Sequence, residues 1–286
     1  MKIDHDTLSA VAVIGVHLPG VGHPLAPQWV GTGIVVGLKS GDDVHIFIVT
    51  NKHVIRNQRA LTVRINLKGS LSSQDYIVQL YDPSGVPLYS LHPSNDVDVV
   101  AISLDGTIND SQKPLVSCFD SSTTCLKLHQ MEALGFGEGS CVFALGFPMN
   151  LVDMKHSFAI CRTGCISRIS SSYGGLDPVD YLIDAQTFPG NSGGPVVIGM
   201  ENDSMQQFGL TGIVHSYIPY QETLYSAQTQ RPRSMMEENS GLTCVHPYDR
   251  IDECIRIECA RVQLSHIKKR IKNIPIPVII SINNII

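Results

Sequence analysis

Residues 189–197 read PGNSGGPVV. One serine, Ser192, stands among small and turn-forming residues just ahead of an apolar run, and it is either a nucleophile or one member of a glycine-rich turn. Gly190 before it and Gly193 and Gly194 after it can take backbone conformations closed to other residues. Consecutive amide N–H groups can then converge on one point while the serine side chain stays exposed. Such a point is what an oxyanion hole requires. A serine hydroxyl is a poor nucleophile at neutral pH, so the chemistry also needs a base and a group that orients the base.

The chain offers both. VTNKHVI (49–55) places His53 just after a strand, at the start of a single helical turn, and NDVDVVAISL (95–104) places Asp98 at the entry to another strand. The chain has 11 histidines, so identity alone does not single out His53. Its company does: a His, then an Asp, then a glycine-flanked Ser, each at the end of a strand rigid enough to hold it.

Outward from these segments the pattern is β. Short β-branched runs, AVAVIGV, GTGIVVGL, VHIFIVT, LTVRINL, YIVQLY and DVVAISL, fill residues 10–104. CVFALGF, SFAICRTGCISRI, DYLIDAQ, GPVVIGM and FGLTGIVHSYI follow between 141 and 218, bounded by glycine, proline and asparagine. A hairpin is expected at residues 39–43, where glycine and aspartate reverse the chain. The predicted organisation is a first β-barrel over 1–110, a linker over 111–130, a second barrel over 131–246, and an amphipathic helix and tail over 247–286. The helix is expected to bury residues 251, 254, 255, 259, 262 and 264 against a β body, the second barrel being the natural one, or to dock another protein. Residues 228–241 read as an exposed loop.

Composition narrows the function classes. At 43% hydrophobic and 16% charged residues, with 24 glycines and 16 prolines, the chain suits many short elements and turns rather than a helical bundle or a disordered segment. A net charge of −5 gives no global attraction to nucleic acid or anionic lipid. The one basic cluster, Lys268, Lys269, Arg270 and Lys272, reads as a solvated helix face. Two aspartates and a histidine interrupt the N-terminal region where an export signal would be basic and then apolar, and no run of apolar residues is long enough to span a bilayer. A cytoplasmic location with reduced thiols is therefore expected for the eight cysteines. The spacings Cys161/Cys165 and Cys254/Cys259 lack the two-residue gap of common zinc knuckles, so neither a metal nor any other cofactor is expected.

Taken in order, GTGIVV (31–36), VTNKHVI, NDVDVVAISL, CVFALGFP (141–148), TGCIS (163–167), DAQTFPGNSGGPVV (184–197) and LTGIVHS (210–216) resemble a trypsin-like serine peptidase of the chymotrypsin clan, most closely its HtrA/DegP-type branch. The resemblance implies an all-β, chymotrypsin-like double six-stranded β-barrel with the site in the cleft between the barrels, here followed by the C-terminal helix and no PDZ domain. It implies Ser192 as nucleophile, His53 as general base and then acid, and Asp98 as the orienting carboxylate. Asp98 is preferred to Asp96 because the family's aspartate precedes an alternating apolar strand. Gly190, Asn191 and Ser192 would form the oxyanion hole. Gln186 would lie near the base of the substrate pocket and Ile213, Val214, His215 and Ser216, up to Tyr217, along its edge. A neutral Gln186 argues against a demand for Lys or Arg unless a neighbouring loop supplies a charge.

Digestive members of the clan carry an aspartate before the serine and bind a newly cut N-terminus with it. Asn191 stands there instead, so activation by N-terminal cleavage is not expected, and control would pass to loop ordering, a regulatory protein or a homo-oligomer. His215 occupies a position where the clan usually has serine; it would perturb the triad, line the pocket or be tolerated. The function so implied is a serine endopeptidase acting on a protein or peptide substrate through an acyl-enzyme. The alternative is a peptidase-fold scaffold whose activity is dispensable.

Overall fold

The computed structural model describes residues 2–16, 27–41, 43–153, 157–173, 180–202 and 205–272. After a short helix α1 (His5–Ser9), capped by the Asp4 carboxylate on Thr7 N–H at 2.8 Å, come β1 (Val11–Val16), β2 (Gln28–Ser40), β3 (Asp43–Thr50), the one-turn helix α2 (Lys52–Ile55), β4 (Ala60–Asn66), β5 (Ser73–Gln79), β6 (Ser90–Leu91), β7 (Val100–Ser103) and β8 (Phe119–Asp120). They form one sheet in the order β5-β4-β1-β2-β3-β7-β6, with β8 parallel to β2. β2 and β3 form the expected hairpin, Ser40 opposite Asp43, and Gly41 supplies the left-handed conformation (φ +64°) at the reversal.

The second half begins with α3 (Leu128–Ala133) and continues through β9 (Cys141–Gly146), β10 (Ile160–Arg168), α4 (Ser170–Tyr173), β11 (Tyr181–Asp184), β12 (Pro195–Asn202), β13 (Met205–Tyr225) and β14 (Pro232–Pro247). These six strands close into a barrel, β10-β11-β14-β13-β12-β9, with β9 pairing back to β10. The second of the two expected six-stranded barrels is thus present as such, whereas the first half is an eight-stranded sheet. The segments that follow β5 and precede β6 are joined by the Leu88 N–H to Leu80 O bond and by an isolated bridge between Tyr81 and Pro87, next to a turn at Gly85. A proline there cannot donate to a continued ladder.

Two further expectations change. Residues 228–241 are no loop: most belong to β14, which pairs with β13 from Gly212 opposite Pro247 out to Tyr225 opposite Pro232. Beyond the barrel this hairpin is exposed on both faces, so its sequence lacks the alternation that marks a half-buried strand. Likewise the C-terminal helix α5 (Tyr248–Lys272) covers the β6–β7 side of the first sheet rather than the barrel alone. Tyr248, Ile251, Cys254, Ile255 and Cys259 enter the apolar core shared by β1–β3, β9 and β13, while Leu264, expected in the same stripe, is exposed. The basic side chains at 268–270 and 272 and the tail after 272 lie outside the described residues.

The helix is also bound by a buried carboxylate. Glu258, fully buried, accepts from Ser90 Oγ (2.8 Å), from Ser103 N–H (3.1 Å) and from both ends of the Arg261 guanidinium (2.7 and 2.6 Å). A buried pair contributes little relative to an apolar pair but costs heavily when one partner is lost. Arg261→Ala, which strands the carboxylate, should destabilise the fold by about 3 kcal/mol. Thermal unfolding should show it as a clear drop in Tm, and an unchanged Tm would remove this contact from the account.

Candidate active site

The site is assembled at the seam between the two halves. Asn51 follows the last residue of β3 and caps α2, so His53 comes just after the strand, in the single helical turn that its sequence context predicts. Its side chain is about half exposed, and its Nδ1 lies 2.5 Å from Asp98 Oδ2, while its own backbone N–H donates to Asp98 Oδ1 at 3.2 Å. Asp98 precedes β7 with Val97 and Val99 buried on either side of it, whereas Asp96 is exposed and bonds locally to Ser94 Oγ through its N–H. Burial opposes ionisation of Asp98, but the hydrogen bonds and positive charge offered by His53 outweigh it and hold the carboxyl below its usual value.

Ser192 belongs to the second half, between β11 and β12, and among the described residues no hydrogen bond joins it to His53. Gly190 (φ +98°) and Gly193 (φ +84°) both adopt the left-handed region. The reason is partly crowding: a Cβ on Gly193 would lie 2.0 Å from Thr32 O, and one on Gly190 would lie 2.3 Å from Phe147 O. Thr32 joins the halves here. Its N–H donates to Ser192 O (2.9 Å), its Oγ1 donates to Gly190 O (2.6 Å), and its carbonyl accepts from Thr50 Oγ1 (2.7 Å). Gly31 lies between the two parts of the site, its Cβ position 2.9 Å from Val54 Cγ1, next to His53, and 3.4 Å from Ser192 O.

The amides around the serine point in different directions. Pro189 O is held by Met149 N–H (2.6 Å), and Asn191 O by Gly194 N–H (2.8 Å). Across a trans peptide the N–H faces away from its carbonyl, so the Gly190 and Ser192 N–H groups are turned away from those partners. Among the described residues neither makes a hydrogen bond. The Asn191 amide, grouped with them from sequence, is instead donated to Phe188 O at 2.9 Å, closing the turn, and the buried Asn191 side chain accepts from Phe188 N–H.

Beside Ser192 lies a cavity of about 380 Å³, lined by Thr187, Phe188, Val214, His215, Ser216, Tyr217 and Glu237 among others. Val214, His215 and Ser216, expected along a pocket edge, are among the residues lining this cavity. Gln186 does not line it and is exposed, because the chain still alternates after β11: Ala185 and Thr187 face inward, Thr187 Oγ1 meeting Thr243 Oγ1 at 2.7 Å. Ile213 is fully buried in the core. Glu237, which sequence reading missed, reaches the pocket from the β14 ribbon and accepts from Tyr217 OH at 3.3 Å.

Sequence reading also missed Asp180 and His246. Asp180, His215 and His246 bring three potential metal-ligand atoms within 4.8 Å of one another. Asp180 Oδ2 is 2.9 Å from His215 Nε2 and Oδ1 is 2.5 Å from His246 Nδ1.

Residues 31–201, more than half the chain, match the family described as trypsin-like peptidase domain. The chain belongs to that family. The peptidase architecture is chymotrypsin-like, a closed six-stranded barrel beside a second sheet, with α5 added. No curated protein matches the peptidase sequence. Solved structures similar to this chain include an HtrA-type protease AlgW with tripeptide (17% identity over 85% of this chain and 58% of that one, TM-score 0.47). Others are the MamO protease domain from Magnetospirillum magneticum (14% identity, 86% and 96% covered, TM-score 0.45) and an inactive form of the Rv3671c protease (17%, 87% and 89%, TM-score 0.43). The chain thus spans under two thirds of the AlgW chain it matches.

Burial alone would raise the Asp180 carboxyl, but its hydrogen bonds to His215 and His246 hold it at about 2. A value below that of the unfolded chain stabilises the fold at pH above the unfolded value, and the gain is lost as pH falls through the folded one. Between about pH 5 and pH 2 the wild-type peptidase should lose on the order of 2 kcal/mol more stability than Asp180→Asn. Urea unfolding across that range checks this; parallel pH curves would contradict it.

Proposed function

We propose that the chain is a serine endopeptidase that cleaves protein or peptide substrates through an acyl-enzyme, with Ser192, His53 and Asp98 as its triad. The observation that carries the reading is the pairing of a His53–Asp98 hydrogen bond with two unbonded amides flanking Ser192. Asp98 holds the proton of His53 on Nδ1, which leaves Nε2 with the lone pair that can act as base. His53 then takes the Ser192 proton as Oγ attacks the scissile carbonyl. The tetrahedral oxyanion is received by the Gly190 and Ser192 N–H groups, and the imidazolium returns the proton to the leaving amine. Water, activated by the same imidazole, releases the acyl group.

Among the described residues Ser192 Oγ has no hydrogen bond. In this reading the Ser192–His53 contact tightens when substrate fills the cleft, as is common for catalytic bonds in unliganded sites. Latency, where it operates, then acts on that contact rather than on a collapsed hole. No helix of the described residues is long and apolar enough to cross a membrane, and eight free thiols suit the reducing cytoplasm proposed as the location.

The pocket favours a cationic side chain. Glu237 supplies the charge that Gln186 does not, and its hydrogen bonds come from neutral Tyr217 and Gln221. Because Glu237 is exposed, the discrimination it gives is modest.

Two measurements test this. A fluorophosphonate probe should label Ser192 in folded wild type and leave Ser192→Ala untouched; wild type that stays unlabelled beside a reactive serine hydrolase sinks the enzyme reading. On fluorogenic peptides, Glu237→Gln should reduce the preference for Arg over Met at the cleavage position by roughly three- to tenfold. An unchanged ratio places the specificity elsewhere.

A further inference from the structure

Both backbone groups of Asp98 are clamped. Its carbonyl accepts from Asn51 Nδ2 at 2.7 Å, and its N–H donates to Nε2 of His246, on β14, at 2.9 Å. A backbone N–H can only donate, so His246 Nε2 must present its lone pair, and the ring's proton resides on Nδ1. Nδ1 lies 2.5 Å from Asp180 Oδ1, and the negative charge of that carboxylate favours a proton on this nitrogen. The ring is fully buried and stacks on His215, with centroids 4.0 Å apart and planes 7° from parallel. His215 in turn donates from Nε2 to the other oxygen of the same carboxylate.

This assignment decides between two uses of the cluster. A metal ion on His246 Nδ1 would leave a neutral imidazole with its proton on Nε2, and that N–H would oppose the N–H of Asp98. The arrangement present is therefore that of a hydrogen-bonded support, and its logic repeats that of the triad. Asp98 fixes the tautomer of His53; Asp180 fixes the tautomer of His246, which fixes the backbone of Asp98.

We propose that His246, oriented by Asp180, is a positioning residue for the catalytic aspartate, holding the Asp98 backbone so that its carboxylate meets His53 at the angle catalysis requires. The proposal rests on the triad reading above. It assigns His246 no contact with substrate. Its loss should slow the chemical step and leave reagent binding alone, because the pocket wall is built from Val214, His215 and Ser216 on β13.

Two variants separate support by hydrogen bonding from support by bulk. His246→Phe keeps an aromatic ring of similar size against His215 but offers no acceptor to Asp98 N–H. His246→Gln loses the ring but can place Oε1 where imidazole Nε2 stands. Both are compared with wild type and Ser192→Ala for the concentration dependence of fluorophosphonate labelling, which yields kinact and KI separately, and for Tm. The expected result is a kinact for His246→Phe lower by roughly ten- to a hundredfold, with KI within about twofold of wild type and most of the rate recovered in His246→Gln. A His246→Phe protein that labels as fast as wild type overturns the proposal, as does an equal loss in both variants that follows their loss of Tm. Wild type that does not label at all overturns the triad and the support together, so the two failures are told apart by the wild-type arm.

Discussion

Thr32 is the residue on which the site's geometry turns. It is fully buried in β2; its N–H and hydroxyl reach across the seam to Ser192 and Gly190, Phe147 N–H from the second half donates to the same hydroxyl at 3.1 Å, and its carbonyl is tied to Thr50 on the neighbouring β3. An unpaired polar atom here would carry a full desolvation cost, so the four bonds are made together or the seam opens. The loop that carries Ser192 is shaped from both sides: Thr32 O of the first sheet lies where a Gly193 side chain would begin, and Phe147 O and Leu145 O of the second half lie where side chains on Gly190 and Gly194 would.

That dependence explains what could be read from the sequence. His53 and Asp98 were legible because each sits where a strand's alternation breaks, and alternation is a local signal. Ser192 was legible because glycine on both sides is costly unless a backbone conformation demands it. Gln186 and Ile213, implied as pocket residues by resemblance, lie outside the cavity because a motif match does not carry which face of the chain each residue occupies. One step of register turns a pocket residue into a solvent or core one. The ribbon of β13 and β14 was missed for a different reason: strands exposed on both faces carry no hydrophobic period. His246 and Asp180 could not be found at all, since what joins them to Asp98 is a bond across 148 residues of chain.

The C-terminal helix belongs to the same framework. Its Glu253 accepts from Nε2 of the buried His92 at 2.6 Å, and His92 Nδ1 accepts from Ser94 N–H at 3.1 Å, at the start of the turn that leads to Asp98. Lys52, next to His53, donates to the carbonyls of His92 and Ser94. The apolar stripe of α5 told of burial against a β body, but only these polar contacts tell which one, and they choose the sheet that carries His53 and Asp98.

His53, Asp98 and Ser192 are all encoded before residue 193, but the groups that brace the segment leading to Asp98 come later: His246 on β14 and Glu253 on α5. Domains fold as units, N-terminal parts first during synthesis. A ribosome that has released His53, Asp98 and Ser192 has therefore still to deliver these contacts, so the segment leading to Asp98 completes its hydrogen bonds only near the end of synthesis.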